Sequence, residues 1–221
     1  AALVLLSLIQ SIMIIQKFKP DFVLGVGGFS SFAVVLAAKI MGVPSAIQEQ
    51  NAFPGLTNRL LMHITNTVFT AFEKTKGWTG NSKVKYVGNP VREPSYSETE
   101  LSALKIDEDI ITILVTGGSQ GAGSINSAFS EAISMLEDGL KDREKLNIIH
   151  QTGVNEEAAI RQKYADMKIK ADVKAFFHNM LQVQQRADLA VTRAGAGTIA
   201  ELCVHGLPAV LIPYPYAAND H

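Results

Sequence analysis

The chain reads as an α/β protein built from two doubly wound parallel sheets. Three observations predict this. Short aliphatic runs alternate with segments of helical spacing, the pattern of parallel strands joined by crossover helices. Several of the runs stop at glycine-rich turns from which the next helix starts. The alternation breaks at a polar, proline-containing stretch, 92–109, and then begins again, so the sequence divides into 1–91, a linker 92–109 and 110–221.

The opening stretch, "AALVLLSLIQSIMIIQKFKP" (1–20), is apolar over 1–15 with breaks at Ser7, Gln10 and Ser11. A membrane span needs about 20 apolar residues, so this run is too short. It has neither the basic start nor the small-residue cleavage site of a signal peptide. Leu3, Leu6, Ile9, Ile12 and Met13, followed by Lys17, recur at near-helical spacing. That suits a helix lying in a membrane interface, and equally a core-facing helix. The chain starts without Met and stops at "YPYAANDH", with no capping or linker signal, so both ends are expected to lie within a longer protein.

The remaining elements follow in order. "DFVLGVGG" (21–28) is a strand ending in glycines, and "SSFAVVLAAKIMG" is a helix closed by Gly42. "PSAIQEQN" (44–51) is a strand, "TNRLLMHIT" a helix, "NTVFTAF" a strand and "KVKYVGNPV" (83–91) a short strand. After the linker, "IITILVTGG" is a strand and "SINSAFSEAISML" a helix. "LNIIHQTG" and "NEEAAIRQKYADM" form the next pair. "ADVKAFFHNM" is a strand running into a turn, and "MLQVQQRA" is a helix. "DLAVTRAG", "TIAELCVHG" and "LPAVLIPYP" complete the series as strand, helix and strand.

Composition narrows the function. A net charge of −1 provides no overall field for a nucleic-acid partner. One cysteine, Cys203, allows no intrachain disulfide and no Cys-based metal cluster, and fits a reducing compartment. The histidines at 63, 150, 178, 205 and 221 have no metal-ligand spacing. Neither a metal nor a cofactor is expected. "DED" at 107–109 has the Asp-x-Asp form of a metal–diphosphate site, but in a polar linker it reads as a solvated acidic turn.

Three glycine-rich turns stand at strand ends: 25–31, 116–124 and 193–198. A helix start offers free N–H groups and the positive end of the helix dipole. With glycine to admit a close approach, that makes an anion site suited to phosphate. Tight strand-to-helix turns alone would also explain the glycines. The phosphate type narrows further. No GxxxxGK[ST] is present, which excludes a P-loop NTPase. "GGSQGAG" is out of register with GxGxxG, and the strand after it ends in His150-Gln151 where a dinucleotide site wants an acidic residue. No GxSxG elbow appears. Glu201 follows the third turn, where it could grip a ribose diol. Thr198–Glu201 also has the form of a capping box. The strand at 44–51 runs into Gln48, Glu49, Gln50 and Asn51, which suits either a polyhydroxylated ligand or a polar loop.

Taken together and in this order, "GVGGFSSF", "QEQNAFPGLTN", "GNPVR", "TGGSQGAGSIN", "RAGAGTIAEL" and "GLPAVLIPYP" resemble the MurG family of peptidoglycan glycosyltransferases. The resemblance runs from about residue 19 to 221. It implies a GT-B fold of two Rossmann-like domains, both truncated here. It implies inverting transfer of N-acetylglucosamine from UDP-GlcNAc to the muramoyl 4-hydroxyl of lipid I, giving lipid II, with no strict need for metal. The partners it implies are donor, lipid-linked acceptor and an anionic membrane surface, with the enzyme peripheral at the cytoplasmic face of the bacterial plasma membrane. Another GT-B enzyme such as a UDP-GlcNAc 2-epimerase, or a non-catalytic nucleotide-sugar module, are the alternatives.

Carried over by motif, Ser119, Gln120 and Gly121 lie at the diphosphate and Arg92 reaches the nucleotide sugar. Phe176, Phe177 and Met180 frame the uracil. Gly195, Ala196 and Thr198 line the nucleotide, and Glu201 holds the ribose hydroxyls. Glu49 and Asn51 face acceptor and sugar, with Glu49 the candidate general base, and His221 falls near the donor sugar. The chain departs from the family in lacking its first "GGTGGH"-type loop and in having Gln48 where many members have His.

Overall fold

A computed structural model describes residues 2–92, 109–118, 121–135 and 143–214. The linker expected at 92–109 falls almost wholly outside them. Two compact units divide between Pro90 and Val91.

The first unit contains α1 (Ala2–Phe18), β1 (Val23–Gly25), α2 (Gly28–Ile40), β2 (Ser45–Glu49), α3 (Leu56–Leu61), β3 (Thr67–Thr70) and β4 (Val84–Tyr86). The four strands are parallel in the order β1-β2-β3-β4. Every residue of β2 is buried, as expected of a strand covered on both faces. Val35, Ala37 and Ala38 of α2 pack with Ile47, Val68 and Trp78 in one core. A Cβ at Gly25 would lie 2.8 Å from Val35 Cγ2, so glycine lets α2 sit close on β1.

Helix α1 packs on α2 and turns Ser11, Ile12 and Ile15 toward this core. The two serines that interrupt its apolar run donate to carbonyls one turn back, Ser7 to Leu3 and Ser11 to Ser7. Its outer face leaves Leu3, Leu6, Ile9 and Met13 exposed. Among the described residues no helix is long and apolar enough to cross a membrane. Strand β4 is shorter than the sequence predicts, because Gly88 turns the chain at φ 79° just beyond it.

The second unit contains β5 (Ile111–Thr116), α4 (Gly123–Met135), a 3-10 turn (Arg143–Lys145), β6 (Leu146–Gln151), α5 (Glu157–Asp166), β7 (Lys170–Lys174), α6 (Met180–Gln185), β8 (Leu189–Arg193), α7 (Ala196–His205) and β9 (Ala209–Ile212). All five strands are parallel, in the order β7-β6-β5-β8-β9. Strand alternation sends successive residues to opposite faces. Val115 and Ile148 meet Ile125, Ile160 and Tyr164 of α4 and α5. Leu114 and Ile149 meet Val183 and Leu202 of α6 and α7. The sheet is therefore covered on both faces, as the alternating sequence predicts. Gly206, at φ 61°, closes α7.

Candidate functional site

The parallel register of the second sheet puts Thr116, Gln151, Lys174 and Thr192 in one row across β5, β6, β7 and β8. The turns that follow these residues leave from one edge. Strand order reverses between β5 and β8, and doubly wound sheets hold their ligands at such a reversal. The turns leaving β5 and β8 are the two glycine-rich turns of this unit.

The β5 turn needs its glycines. A Cβ on Gly117 would meet Ala122 at 2.3 Å, and one on Gly121 would meet the Thr152 carbonyl at 2.1 Å. Gly118 lies at φ 95° and Gly121 at φ 77°, in the left-handed region. The turn closes with Gly121 N–H donating to Gly118 O at 3.1 Å. Ser119 and Gln120, the expected diphosphate contacts, lie outside the described residues.

The β8 turn differs. Gly195 has φ −71°, and a Cβ on Gly197 would meet nothing within 4 Å. The protein's own packing does not demand these glycines. Helix α7 starts at Ala196 with Gly195 as its N-cap, and no side chain caps it. The capping box read at Thr198–Glu201 is therefore overturned: Thr198 is already inside the helix, and Glu201 lies in its second turn. Ala196, Gly197 and Thr198 form the first turn of α7, whose N–H groups have no partner four residues back. Glu201 is half-buried, and its Oε2 accepts from Gln184 Nε2 at 3.1 Å. Gln184 is buried on α6, the helix after the Phe176–Phe177 turn, so it links that helix to the carboxylate.

At the β7 end, Phe177 is buried and Phe176 is exposed, with the two rings of Phe176 and His178 in edge contact at 5.2 Å. Met180 is half-buried against Phe177 and Val183. A cavity of about 440 Å³ opens here, its lining including Phe176, Phe177, Asn179, Lys174 and Arg186.

Three polar groups at this edge have no assigned role from sequence. Gln151 is buried; its Oε1 accepts from Phe177 N–H at 2.8 Å and its Nε2 donates to Gly118 O at 2.9 Å. His150, also buried, faces the other side of the sheet. Its Nε2 lies 3.0 Å from Asn126 Oδ1 and its Nδ1 lies 2.8 Å from the Tyr164 hydroxyl. Asn126 uses its Nδ2 to donate to Thr152 O and Glu156 Oε2, so its Oδ1 is left to accept from His150 Nε2–H. Burial lowers the His150 pKa to about 4 and pushes the Tyr164 phenol up. Arg193, at the end of β8, donates to Ser124 Oγ at 2.7 Å and to Pro213 O at 2.9 Å. The signal in each case was a polar residue closing an apolar strand.

In the first unit, Glu49 ends β2 and is buried. Its Oε1 accepts from the backbone and side chain of Asn51, at 2.9 and 3.3 Å. Its Oε2 accepts from Gly55 N–H at 3.0 Å and Asn58 Nδ2 at 2.9 Å. Four donors thus occupy the carboxylate, which organises the 50–58 loop and holds Asn51. Gln48 donates to Gly88 O at 3.1 Å, tying β2 to the "GNPVR" segment. Arg92 is exposed. His221 lies outside the described residues, as does the acidic run before Asp109. Among the described residues no three His, Cys, Asp or Glu converge as metal ligands.

The motifs and this geometry can be set beside known proteins. The glycosyltransferase family 28 N-terminal domain matches residues 1–70, and the C-terminal domain of the same family matches 112–221. A Myxococcus xanthus protein, UDP-N-acetylglucosamine--N-acetylmuramyl-(pentapeptide) pyrophosphoryl-undecaprenol N-acetylglucosamine transferase, is 44% identical over 216 residues, 98% of this chain and 55% of its own. The crystal structure of Acinetobacter baumannii MurG superposes with a TM-score of 0.75 at 32% identity, over 99% of this chain and 60% of that one. A UDP-GlcNAc 2-epimerase from Neisseria meningitidis, at 16% identity and a TM-score of 0.65 over 95% of this chain and 63% of its own, shares the fold alone. The chain spans a little over half the length of the curated relatives it matches. It belongs to glycosyltransferase family 28.

Proposed function

We propose that the protein moves N-acetylglucosamine, with inversion, from UDP-GlcNAc to the muramoyl 4-hydroxyl of lipid I, forming lipid II at the cytoplasmic face of the membrane. The observation that carries this reading is the emergence of both glycine turns at the strand-order reversal of the second sheet, with Glu201 held by Gln184 in the second turn of the helix that follows one of them. That arrangement suits a nucleoside diphosphate, and the relatives' printed activity supplies the sugar and the acceptor.

In this reading the second unit binds the donor. Phe176 stacks on the uracil, with Phe177 and Met180 supporting the turn. Glu201, oriented by Gln184, accepts from the ribose hydroxyls. Gly195, Ala196 and Thr198 present main-chain N–H groups and a hydroxyl to the nucleotide. Ser119, Gln120 and Gly121 lie along the diphosphate. As the acceptor oxygen attacks the anomeric carbon, the sugar gains oxocarbenium character and negative charge grows on departing UDP. N–H groups fixed before the reaction stabilise that charge without reorganising, joined by the α7 dipole and the Arg92 guanidinium. The acceptor hydroxyl must lose its proton to a base. Glu49 is the candidate for that base, and the four hydrogen bonds its oxygens accept hold it in place and fix Asn51 beside it, toward acceptor and sugar. His221 falls near the donor sugar. The exposed Leu3, Leu6, Ile9 and Met13 of α1 lie in the headgroup region of an anionic membrane, with Lys17 nearby.

Incubation of the protein with UDP-GlcNAc and a soluble lipid I analogue tests this. The expected products are UDP and the β-linked disaccharide. Conversion of UDP-GlcNAc to its manno epimer would establish the epimerase reading instead, and binding without turnover would leave a nucleotide-sugar module.

A further inference from the structure

We propose that Gln151 is a positioning residue for the donor: its side-chain amide is a strut that sets the distance between the diphosphate turn and the base turn. The proposal rests on the donor reading above. Gln151 closes β6, which lies between β5 and β7, and the residue is 2% exposed. On one side, Phe177 N–H donates to Oε1 at 2.8 Å. On the other, Nε2 donates to Gly118 O at 2.9 Å and reaches Thr116 Oγ1 at 3.4 Å. Thr116 Oγ1 in turn accepts from Gly118 N–H at 3.2 Å. One amide therefore joins the chain after β5 to the chain after β7, across the strand between them.

Its orientation is fixed. Rotating the amide by half a turn would set its NH₂ against Phe177 N–H and its oxygen against Gly118 O. Both ends would then lose their bonds inside the protein, where unpaired polar groups are costly. Two of the partners are main-chain atoms, so the strut holds backbone and leaves the neighbouring side chains free to meet ligand.

The consequence is specific to a ligand that touches both turns. UDP joins a base to a diphosphate by a ribose of fixed reach. Its two halves reinforce one another only when the turns already stand at the matching separation. Uridine meets the base turn alone and does not sense that separation.

The test is a calorimetric or NMR titration of UDP and of uridine into the full chain and into Gln151→Met, which keeps the side-chain volume and removes both amide functions. UDP affinity is expected to fall about tenfold, with uridine affinity changed less than about twofold. Equal UDP affinity in the two proteins would overturn the proposal. So would a proportional loss for both ligands, which would mark Gln151 as generally structural. Should the wild-type chain bind neither ligand, the donor reading itself fails, and this inference with it. If Gln151→Met does not fold, Thr116→Val decides. It removes the hydroxyl shared by Gln151 and Gly118, and it must weaken UDP about threefold while sparing uridine. Unchanged UDP binding by a folded Thr116→Val chain then rejects the strut.

Discussion

Glu201 sits in the second turn of α7, beyond the reach of the helix start, and takes a hydrogen bond from Gln184. Replacing it with alanine is expected to weaken UDP-GlcNAc roughly tenfold to a hundredfold, since a hydrogen bond to a charged group is worth about 1.5–3 kcal/mol. The melting temperature should fall modestly as well, because the buried Gln184 Nε2 loses its acceptor, at a cost of about 1–3 kcal/mol. Calorimetric titration at unchanged affinity would remove Glu201 from the site. His150 makes a second prediction, about acidity. The unfolded chain binds a proton at this ring near pH 6.5, whereas the folded chain resists until about 4. Its contribution to stability is therefore complete above pH 6.5 and is lost as the pH falls toward 4, at about 1.4 kcal/mol per unit and about 3 kcal/mol in all. Urea unfolding from pH 7.5 to 4.5 should show this slope in the wild type and a flatter one in His150→Gln; equal slopes would refute it. The pair His150-Gln151 was visible as a polar end to an apolar strand. Which face each side chain takes depends on pairing with β5 and β7, and no local pattern contains that pairing.

At the scale of the element, the two glycine turns of the donor unit separate structural need from ligand need. Gly121→Ala places a methyl group on the Thr152 carbonyl in a left-handed backbone. It should destabilise the chain by more than about 2 kcal/mol and abolish UDP binding. Gly197→Ala meets open space inside a helix. Alanine is favoured over glycine in helices by up to about 1 kcal/mol, so stability should hold or rise. If α7 receives the nucleotide as proposed, UDP-GlcNAc affinity should nonetheless fall, because the methyl group would stand in the ligand's path. A Gly197→Ala chain that binds as tightly as wild type would mean that the ligand stays clear of α7. The strands and helices themselves were largely legible, since aliphatic runs such as Ile111–Thr116 end at glycines and the helices repeat at their own period. The start of α7 was not. Thr198 and Glu201 have the spacing of a cap, but Ala196 and Gly197 enter the helix first, and that follows from where β8 delivers the chain.

At the scale of the whole molecule, α1 carries the membrane question. Its inner side is fixed by Ile12 and Ile15, while Leu6 and Met13 remain about half exposed or more, at 52% and 62%. The paired change Leu6→Asp with Met13→Asp should reduce co-sedimentation with vesicles containing anionic phospholipid at least about tenfold, because each inserted apolar side chain is worth about 1.5–3 kcal/mol. The circular dichroism spectrum should be unaltered. Equal sedimentation by the variant would assign that face to another partner. The sequence left a core-facing helix at least as open as an interfacial one; the structure packs one side of α1 on the core and leaves Leu3, Leu6, Ile9 and Met13 exposed on the other. Gln151 carries a consequence of a different sort. It grips Gly118 and Phe177 by their peptide groups, so it is blind to what either position is called in the genetic code. In the proposed donor reading, base preference could then be retuned by exchanging the aromatic at Phe176 while the turn after β5 keeps its shape, which would separate the part of the scaffold that discriminates from the part that merely holds.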